Sequence, residues 1–271
     1  MLDLHNHMLP GLDDGARDWA ESLEMARIAV EDGIRGVVCT PHWVYGYFEN
    51  SREVVLRTVE GLRQRLKDHA IPLEVYPGTE LRLDSEIPRR IEEGLLLTVN
   101  DGRRYALIEL PDEIVPQNME NFFWELQSQN ITPIIGHPER NRPMMRDPTR
   151  LQRWVEMGAL VQMTAASLTG RFGTELRKFS YSLLEHHLVH IVATDAHGIE
   201  SRVPRLSEGY QEVKKILGKE MARQMVNDTP LQIVRGEQVT PYDTIPFSAK
   251  GSRNSLVKKI LSSLGLTRRR F

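Results

Sequence analysis

Cysteine is almost absent from this sequence of 271 residues, which contains only Cys39. A single cysteine excludes an internal disulfide, and the apolar run around it predicts that it packs as a small hydrophobic side chain. Long apolar runs are also missing, since no stretch reaches the roughly 18 apolar residues that a transmembrane helix needs. The first residues lack the charged and apolar regions of a signal peptide, so we expect a cytoplasmic protein.

An excess of charge is missing as well, because 35 basic and 37 acidic residues give a formal net charge of -2. A body of this charge, without a basic stripe, gives no reason to expect nucleic-acid binding. The apolar content of 40% is ordinary for a globular protein and is sufficient for a full core. The length suits one large α/β domain or two small ones.

Short apolar runs alternate along the chain with segments whose apolar residues recur at helical spacing. Seven runs predict strands, beginning near residues 2, 36, 73, 105, 131, 160 and 190. The segments between them, such as residues 19–30 and 50–69, predict helices. This alternation indicates repeated βα units and a parallel sheet.

Residues able to bind metals stand at the carboxyl ends of these predicted strands. They are His5, His7, His42, Glu80, Glu109, His137, Asp195 and His197. In an open sheet, a ligand site forms at one switch point, whereas side chains from six strands converge only if the sheet closes. We therefore predict a barrel of seven strands.

The N-terminal stretch contains the densest group of these residues. His5 and His7 are two apart, so a strand would direct both side chains to the same face. Asp13 and Asp14 follow, and hard cations favour carboxylate oxygens. Two surface histidines are the alternative for the pair taken alone. Glu109 is harder to explain without a metal, because a carboxylate in an apolar strand is costly unless it is paired or metal-bound.

A mixed imidazole and carboxylate set of this size exceeds the needs of one metal and predicts two or three ions. Such a site suits Mn, Mg or Fe, and its histidines leave Zn open. Clustered metals polarise phosphoryl oxygens and generate a hydroxide nucleophile, so phosphate-ester hydrolysis is the first reaction class indicated. Arg140, Arg202 and Arg205 are candidates to hold phosphate oxygens, although each is equally compatible with a surface arginine.

Six motifs carry a family resemblance: Asp3-Leu-His-Asn-His-Met-Leu-Pro-Gly-Leu-Asp-Asp-Gly-Ala16, Thr40-Pro-His42, Pro77-Gly-Thr-Glu80, Leu107-Ile-Glu109, Gly136-His-Pro-Glu-Arg140 and Thr194-Asp-Ala-His197. Together they resemble the PHP (polymerase and histidinol phosphatase) superfamily and, within it, the CpsB/YwqE group of bacterial tyrosine-protein phosphatases. The resemblance extends from Met1 to about Val239. It implies a distorted (β/α)7 barrel of the PHP fold.

The resemblance also implies a trinuclear centre that is usually Mn-dependent. The implied ligands are His5, His7, Glu80 and Asp195 for one ion, Glu80, Glu109 and His137 for a second, and Asp14, His42 and His197 for a third. Arg140 and Arg202 match positions suggested to bind the phosphate. Asp13 is then expected to support the ligands or cap a turn. Trp43 stands where the family often has a second histidine, so the resemblance does not supply a proton donor at that position.

The function implied by the resemblance is that of a metal-dependent protein-tyrosine phosphatase. Its implied substrate is the tyrosine-rich tail of a membrane tyrosine autokinase that drives capsule or exopolysaccharide synthesis. Cys39 lies inside a strand signal, which argues against a cysteine nucleophile. Four aromatic residues follow His42, namely Trp43, Tyr45, Tyr47 and Phe48. They either receive a phenyl ring of the substrate or pack on the barrel.

Three alternatives stay open at this point. The nearest is a small-molecule phosphatase of the histidinol-phosphatase type. The second is a nuclease or proofreading domain, against which the lack of a polymerase region and of a basic stripe argues. The third is a non-catalytic scaffold stabilised by metal, against which the complete set of ligand types argues.

The C-terminal part differs in composition from the rest. We predict a barrel domain over residues 1–239, followed over residues 240–271 by a linker and a basic tail. The tail is interpreted either as a weakly helical end or as an amphipathic basic segment. In the second case it would contact an anionic membrane or an acidic partner and place the protein at the inner face of the membrane.

Overall fold

Parallel strands and the helices that connect them form a barrel within residues 1–247, the part of the chain that this computed structural model describes. The strands are β1 (Leu2–Asn6), β2 (Gly36–Cys39), β3 (His42–Val44), β4 (Phe48–Glu49), β5 (Glu74–Pro77), β6 (Glu80–Arg82), β7 (Tyr105–Glu109), β8 (Thr132–Gly136), β9 (Leu160–Thr164) and β10 (Ile191–Ala193). The helices are α1 (Trp19–Glu31), α2 (Arg52–Asp68), α3 (Ile87–Glu92), α4 (Met119–Ser128), α5 (Arg142–Arg146), α6 (Thr149–Glu156), α7 (Ala165–Thr169), α8 (Thr174–Glu185), α9 (Ser207–Leu217), α10 (Lys219–Arg223) and α11 (Thr229–Val234).

The barrel wall has seven positions around its circumference, which we call staves. Two staves are broken in the middle, so that β2 continues into β3 and β5 continues into β6. At the lower end of the barrel, β1, β2 and β5 pair in the order β1-β2-β5. At the upper end, β3 and β6 join the sheet in the order β10-β9-β8-β7-β6-β3. A bridge between Asn6 and Ala196, with the Asp195 amide donating to the His5 carbonyl at 2.9 Å, links the first stave to the last. The prediction of a distorted (β/α)7 barrel is confirmed.

An apolar cluster fills the barrel interior below the strand ends. Every stave except that of β5 contributes a member, for example Leu4, Leu107 and Ile134, and α11 closes the lower end with Ile233 and Val234. A second, larger cluster lies between the wall and the helices. The polar residues at the carboxyl ends of the strands lie directly above this apolar interior, which shields them from water on their lower side.

Strand β1 contains an irregularity that positions the first histidine. Asp3 pairs with Val37 but Asn6 pairs with Cys39, so β1 has one extra residue between these two pairs. Such a bulge alters which way the following side chains point. It allows Leu4 to join the interior cluster while the next residue, His5, also faces inward.

Residues 240–247, which we predicted as the start of a linker, lie against the barrel. Tyr242 stacks on the His190 ring with the centroids 5.2 Å apart, and Phe247 stacks on His186 at 3.7 Å. The basic tail predicted beyond them falls on residues 248–271, outside the described residues. No helix among the described residues is both long and apolar enough to span a membrane.

Candidate metal centre

All nine predicted metal ligands lie together at the carboxyl ends of the strands. Their nitrogen and oxygen atoms form overlapping groups within 4.8 Å of one another: His7, Asp14, His42 and His197; His5, His7 and Glu80; His5, His137 and Asp195; and His42, Glu80 and Glu109. These groups overlap the three sets implied by the family resemblance without reproducing them. The division among individual ions therefore stays a prediction.

Glu80 lies at the centre of the cluster and is completely buried. Its Oε1 is 2.8 Å from His137 Nε2, and its Oε2 is 2.9 Å from His42 Nδ1 and 3.2 Å from His5 Nε2. Burial alone would raise the pKa of this carboxyl, but the surrounding histidines lower it well below its usual range. Glu80 is thus held as a carboxylate that faces ligand atoms from three other strands.

Asp14 approaches the cluster from the solvent side. Its Oδ1 lies 3.4 Å from His42 Nε2 and 3.4 Å from His197 Nε2, and its side chain is 58% exposed. The proximity of these histidines lowers the pKa of Asp14. Burial would lower the pKa of His42, but the nearby carboxylates of Asp14 and Glu80 raise it to about 11. The carboxylates therefore create a negative potential that protons or metal cations can neutralise.

Asp13 supports the ligands from behind. Its Oδ2 accepts from His7 Nδ1 at 2.7 Å and from the His42 amide at 2.9 Å, while its Oδ1 accepts from the Gly15 amide. This agrees with the supporting role that we predicted for it. Gly15 is required here, because a Cβ at that position would lie 2.1 Å from the carbonyl oxygen of His7.

Three residues of the site adopt left-handed backbone conformations that cost side-chain-bearing residues about 1–3 kcal/mol each. The φ angles are 30° at His137, 51° at Asp195 and 50° at Arg202. Such angles persist only where the surrounding structure determines them. They direct these side chains into the mouth of the barrel, from the ends of β8 and β10 and from the loop that follows β10.

The hydrogen bonding of the cluster tests whether metal ions fit. Among the described residues, His42 Nδ1, Glu80 Oε2, Asp195 Oδ1 and His197 Nε2 are buried without a hydrogen-bond partner. Each still lies within 3.4 Å of an imidazole nitrogen or a carboxylate oxygen without hydrogen-bond geometry, so a cation between such atoms would satisfy them. Imidazole nitrogens and carboxylate oxygens without thiolates suit Mn, Fe or Zn. The residues therefore fit a cluster of divalent ions.

The two predicted phosphate-binding arginines meet at one carboxylate. Arg140 Nη1 donates to Asp195 Oδ2 at 2.7 Å, and Arg202 pairs with the same oxygen. Burial would lower the pKa of Arg140, but the nearby carboxylates, Asp195 foremost, together raise it. Both guanidinium groups also line a cleft of about 360 Å³ that opens above the cluster.

Two residues that we did not predict contact the ligands or the arginines of this cleft. Arg82 lines it and forms an ion pair from Nη1 to Glu109 Oε2 at 3.0 Å. Its position two residues after Glu80 in β6 was a signal that the sequence offered, since both face the same side. Phe172 packs 5.5 Å below the guanidinium carbon of Arg140, and nothing in the local sequence indicated that contact.

The aromatic residues after His42 divide into two groups. Tyr47 and Phe48 line the cleft, and Phe48 lies parallel to the His42 ring at 6.1 Å. Trp43 instead points into the core, where it is 3% exposed and lies under the guanidinium of Arg90. Alternation along β3 places Trp43 opposite His42, because consecutive side chains of a strand point to opposite faces. Trp43 therefore has no contact with the reacting region.

The fold and the cluster of ligands define an α/β-barrel protein with a candidate metal centre at the carboxyl ends of its strands. The chain belongs to the family described as "Capsular polysaccharide synthesis, CpsB/CapC", whose pattern matches residues 1–235.

Relatives support this assignment along most of their length. The chain is 41% identical to the tyrosine-protein phosphatase YwqE of Bacillus subtilis over 231 residues, which cover 85% of this chain and 91% of YwqE. It is 34% identical to the putative tyrosine-protein phosphatase CapC of Staphylococcus aureus, over 79% of this chain and 84% of CapC. With the tyrosine-protein phosphatase CpsB of Streptococcus pneumoniae the identity is 28%, over 88% of this chain and all of CpsB.

Solved structures agree with these sequence relationships. A crystal structure from work on YwqE and CpsB, described there as unique metal-dependent tyrosine phosphatases, matches with a TM-score of 0.88 and 38% identity over 92% of this chain and 100% of that chain. A β-aspartyl dipeptidase from Fervidobacterium islandicum matches with a TM-score of 0.53 and 14% identity, over 90% of this chain and 75% of its own. The second match shows a shared fold alone.

Proposed function

We propose that this protein is a metal-dependent protein-tyrosine phosphatase whose ions are held by the nine clustered ligands. The observation that carries the proposal is the convergence of these ligands with two arginines under one open cleft. Family membership and the activity of YwqE and CpsB support it. Mn²⁺ is the ion that we favour, because four of the nine ligands are carboxylates and none is a thiolate.

The ligands would act as a preorganised frame. Glu80 would be shared between ions, because its two oxygens lie within 3.2 Å of nitrogens of His5, His42 and His137. The remaining ligands would complete the coordination of these ions. When bound, such a cluster supplies Lewis-acid polarisation of the phosphoryl group and activation of a water nucleophile. The strained backbone at His137 and Asp195 keeps both side chains at the mouth, so little reorganisation is needed when substrate arrives.

The arginines would bind the phosphoryl oxygens. Arg140 and Arg202 present guanidinium groups to the cleft while Asp195 holds them in place. A guanidinium group forms paired hydrogen bonds with phosphate oxygens and retains its charge at any working pH. Negative charge that develops on the phosphoryl group would therefore be balanced by fixed charges of the protein.

The aromatic rim would receive the phenyl ring of the substrate. Tyr47 is 77% exposed and touches Phe48 edge-to-face with the centroids 4.5 Å apart. A phenolate leaving group has a pKa near 10, so it departs with less protonation than an alkoxide would need. A buried Trp43 at the position after His42 is compatible with this chemistry. Cys39 is buried in β2 with a raised pKa, which argues against a cysteine nucleophile.

The biological substrate that we propose is the phosphorylated tyrosine tail of a membrane tyrosine autokinase. The family description links the chain to capsular polysaccharide synthesis, in agreement with that substrate. We further propose that residues 1–239 form the catalytic barrel, and that the basic residues beyond 247 bring it to the inner face of the membrane. An exposed aromatic rim on an open cleft suits a tyrosine displayed by a protein segment.

One assay tests both the activity and the choice of metal. Chelated protein is titrated separately with Mn²⁺, Zn²⁺, Mg²⁺ and Fe²⁺, and hydrolysis of para-nitrophenyl phosphate is measured. We expect Mn²⁺ to restore the highest rate. A phosphotyrosyl peptide and histidinol phosphate, compared at saturating metal, then test the substrate class, and a preference for histidinol phosphate would contradict the proposal. A scaffold is indicated if loaded protein hydrolyses no aryl phosphate while His137→Ala changes only the melting temperature.

A further inference from the structure

Strand β9 passes beneath the metal centre without contributing a predicted ligand. All five of its residues are buried, and Gln162 in its middle is completely inaccessible to solvent. A buried amide is costly unless its polar atoms are hydrogen-bonded. An apolar residue would therefore be the expected choice at this position if its only role were packing.

The amide oxygen of Gln162 contacts two predicted ligands. Oε1 lies 3.0 Å from His5 Nδ1 and 3.3 Å from the backbone amide of His137. A backbone N–H only donates, so the atom that faces His137 must be the carbonyl oxygen and not the amide nitrogen. The same oxygen can only accept from His5. His5 therefore carries a hydrogen on Nδ1.

This protonation state directs the other nitrogen of His5 to the centre. His5 Nε2 lies 3.0 Å from His7 Nε2, 3.2 Å from Glu80 Oε2 and 3.4 Å from Asp195 Oδ1. A hydrogen on the outer nitrogen leaves the inner nitrogen with a free lone pair whenever His5 is neutral. A partner on the outer nitrogen also fixes the orientation of the ring and increases its basicity.

The second contact holds a strained turn. His137 has a φ of 30°, and the Gln162 oxygen accepts from its amide at the point where β8 ends. Glu139 ties the same turn to the end of β9, because its Oε1 accepts from the Thr164 amide and from the Ser167 hydroxyl. Strand β9 therefore fixes the turn that presents His137 from two sides.

We propose that Gln162 is a positioning residue of the metal centre, which selects the Nδ1–H form of His5 and anchors the His137 turn through one amide oxygen. The inference rests on the proposed function only in taking these histidines as metal ligands. Gln162 touches neither substrate nor ion, and acts through the two ligands that it holds. Its loss weakens metal binding rather than any later step.

Metal affinity of the full chain tests this role. Chelated wild-type protein, Gln162→Leu and Gln162→Glu are titrated with Mn²⁺ alone by calorimetry, and bound metal is measured after dialysis. Loss of a partner to a metal-binding histidine typically weakens metal binding by about 10–100-fold, and we expect Gln162→Leu to show this. Gln162→Glu retains an acceptor oxygen and restores most of the affinity. Met163→Ala is the matched control, because Met163 is equally buried in β9 but packs on the helix side.

Unchanged Mn²⁺ affinity in Gln162→Leu would overturn the proposal, as would an equal loss in Met163→Ala. A second measurement covers the case in which Gln162→Leu does not fold. In the Zn²⁺-loaded wild-type protein, nitrogen NMR of the imidazoles should show His5 protonated at Nδ1, and protonation at Nε2 would refute the assignment. Both readouts are independent of turnover, so an inactive protein that binds metal would contradict the phosphatase proposal alone.

Discussion

Asp13 and Asp14 are adjacent in the N-terminal loop, but substitution by alanine should affect stability more at Asp13 and activity more at Asp14. Asp13 is buried and accepts hydrogen bonds from His7 Nδ1, the His42 amide and the Gly15 amide. Asp14 is mostly exposed and meets the cluster only through its carboxylate. We expect Asp13→Ala mainly to destabilise the fold, and Asp14→Ala mainly to abolish activity.

The magnitudes follow from these contacts. A buried donor left without a partner costs about 1–3 kcal/mol, and part of this is recovered because the buried carboxylate is also removed. A net loss of roughly 3 kcal/mol for Asp13→Ala corresponds, in a domain of this size, to a fall in Tm of about 6–12 °C. Asp14→Ala removes an exposed side chain, so its cost should stay below about 0.5 kcal/mol.

The activities should fall in the reverse order. Loss of the Asp13 support for His7 should reduce activity by about 10–100-fold, as for other partners of metal-binding histidines. Loss of Asp14, a predicted ligand, should exceed that range. Thermal unfolding of the chelated proteins measures the effect on stability without the contribution of bound metal, and aryl phosphate hydrolysis at saturating Mn²⁺ measures the effect on activity. The reasoning is refuted if Asp13→Ala is as stable as the wild type, or if it loses more activity than Asp14→Ala.

Two further predictions concern residues outside the cluster. Burial lowers the pKa of His190 from 6.5 to about 3. Between these two pH values the unfolded chain binds a proton that the folded protein does not, so the contribution of His190 to stability is complete above pH 6.5 and decreases as the pH falls towards 3. Between pH 7 and pH 5 the wild type should lose about 2 kcal/mol more than His190→Gln in urea unfolding, and equal losses would contradict this. Phe172→Leu removes a cation–π contact with Arg140 worth about 0.5–1 kcal/mol, so KM for an aryl phosphate should rise about 2–5-fold at constant kcat. Phe172→Tyr should restore KM, and a change in kcat alone would argue against a role in binding.

The sequence was most informative where chemistry and spacing coincide. His5 and His7, two apart at a strand end, could be placed together from their spacing alone, and the alternation of apolar runs with helical segments predicted the seven-strand barrel. Buried strands show as apolar runs, and in a parallel barrel the polar residues that end them meet at one face. Asp13 and Asp14 were distinguished only through the family resemblance, and the structure explains their difference by burial.

Other parts of the site have no signature along the chain. Gln162 contacts His5 across 157 positions and His137 across 25, and a glutamine within an apolar strand has no spacing that reveals its partners. Phe172 reaches Arg140 through tertiary packing alone. Arg82 differs, because its separation from Glu80 follows the two-residue period of a strand, which places both side chains on one face of β6, although we did not predict a role for it.

Closure of the barrel and assembly of the metal centre depend on the same contacts. The Asp195 amide donates to the His5 carbonyl and the His7 amide donates to the Ala196 carbonyl, both at 2.9 Å, so the first and last staves join where their ligands meet. Asp3 reinforces this junction by accepting from the amide and the hydroxyl of Thr194. Ions shared by the two staves would bind only the closed barrel. Metal at 100 times its Kd would then add about 2.7 kcal/mol to the stability of the closed state. Because the centre spans this junction, the cations that support catalysis would also hold together the two ends of the barrel wall.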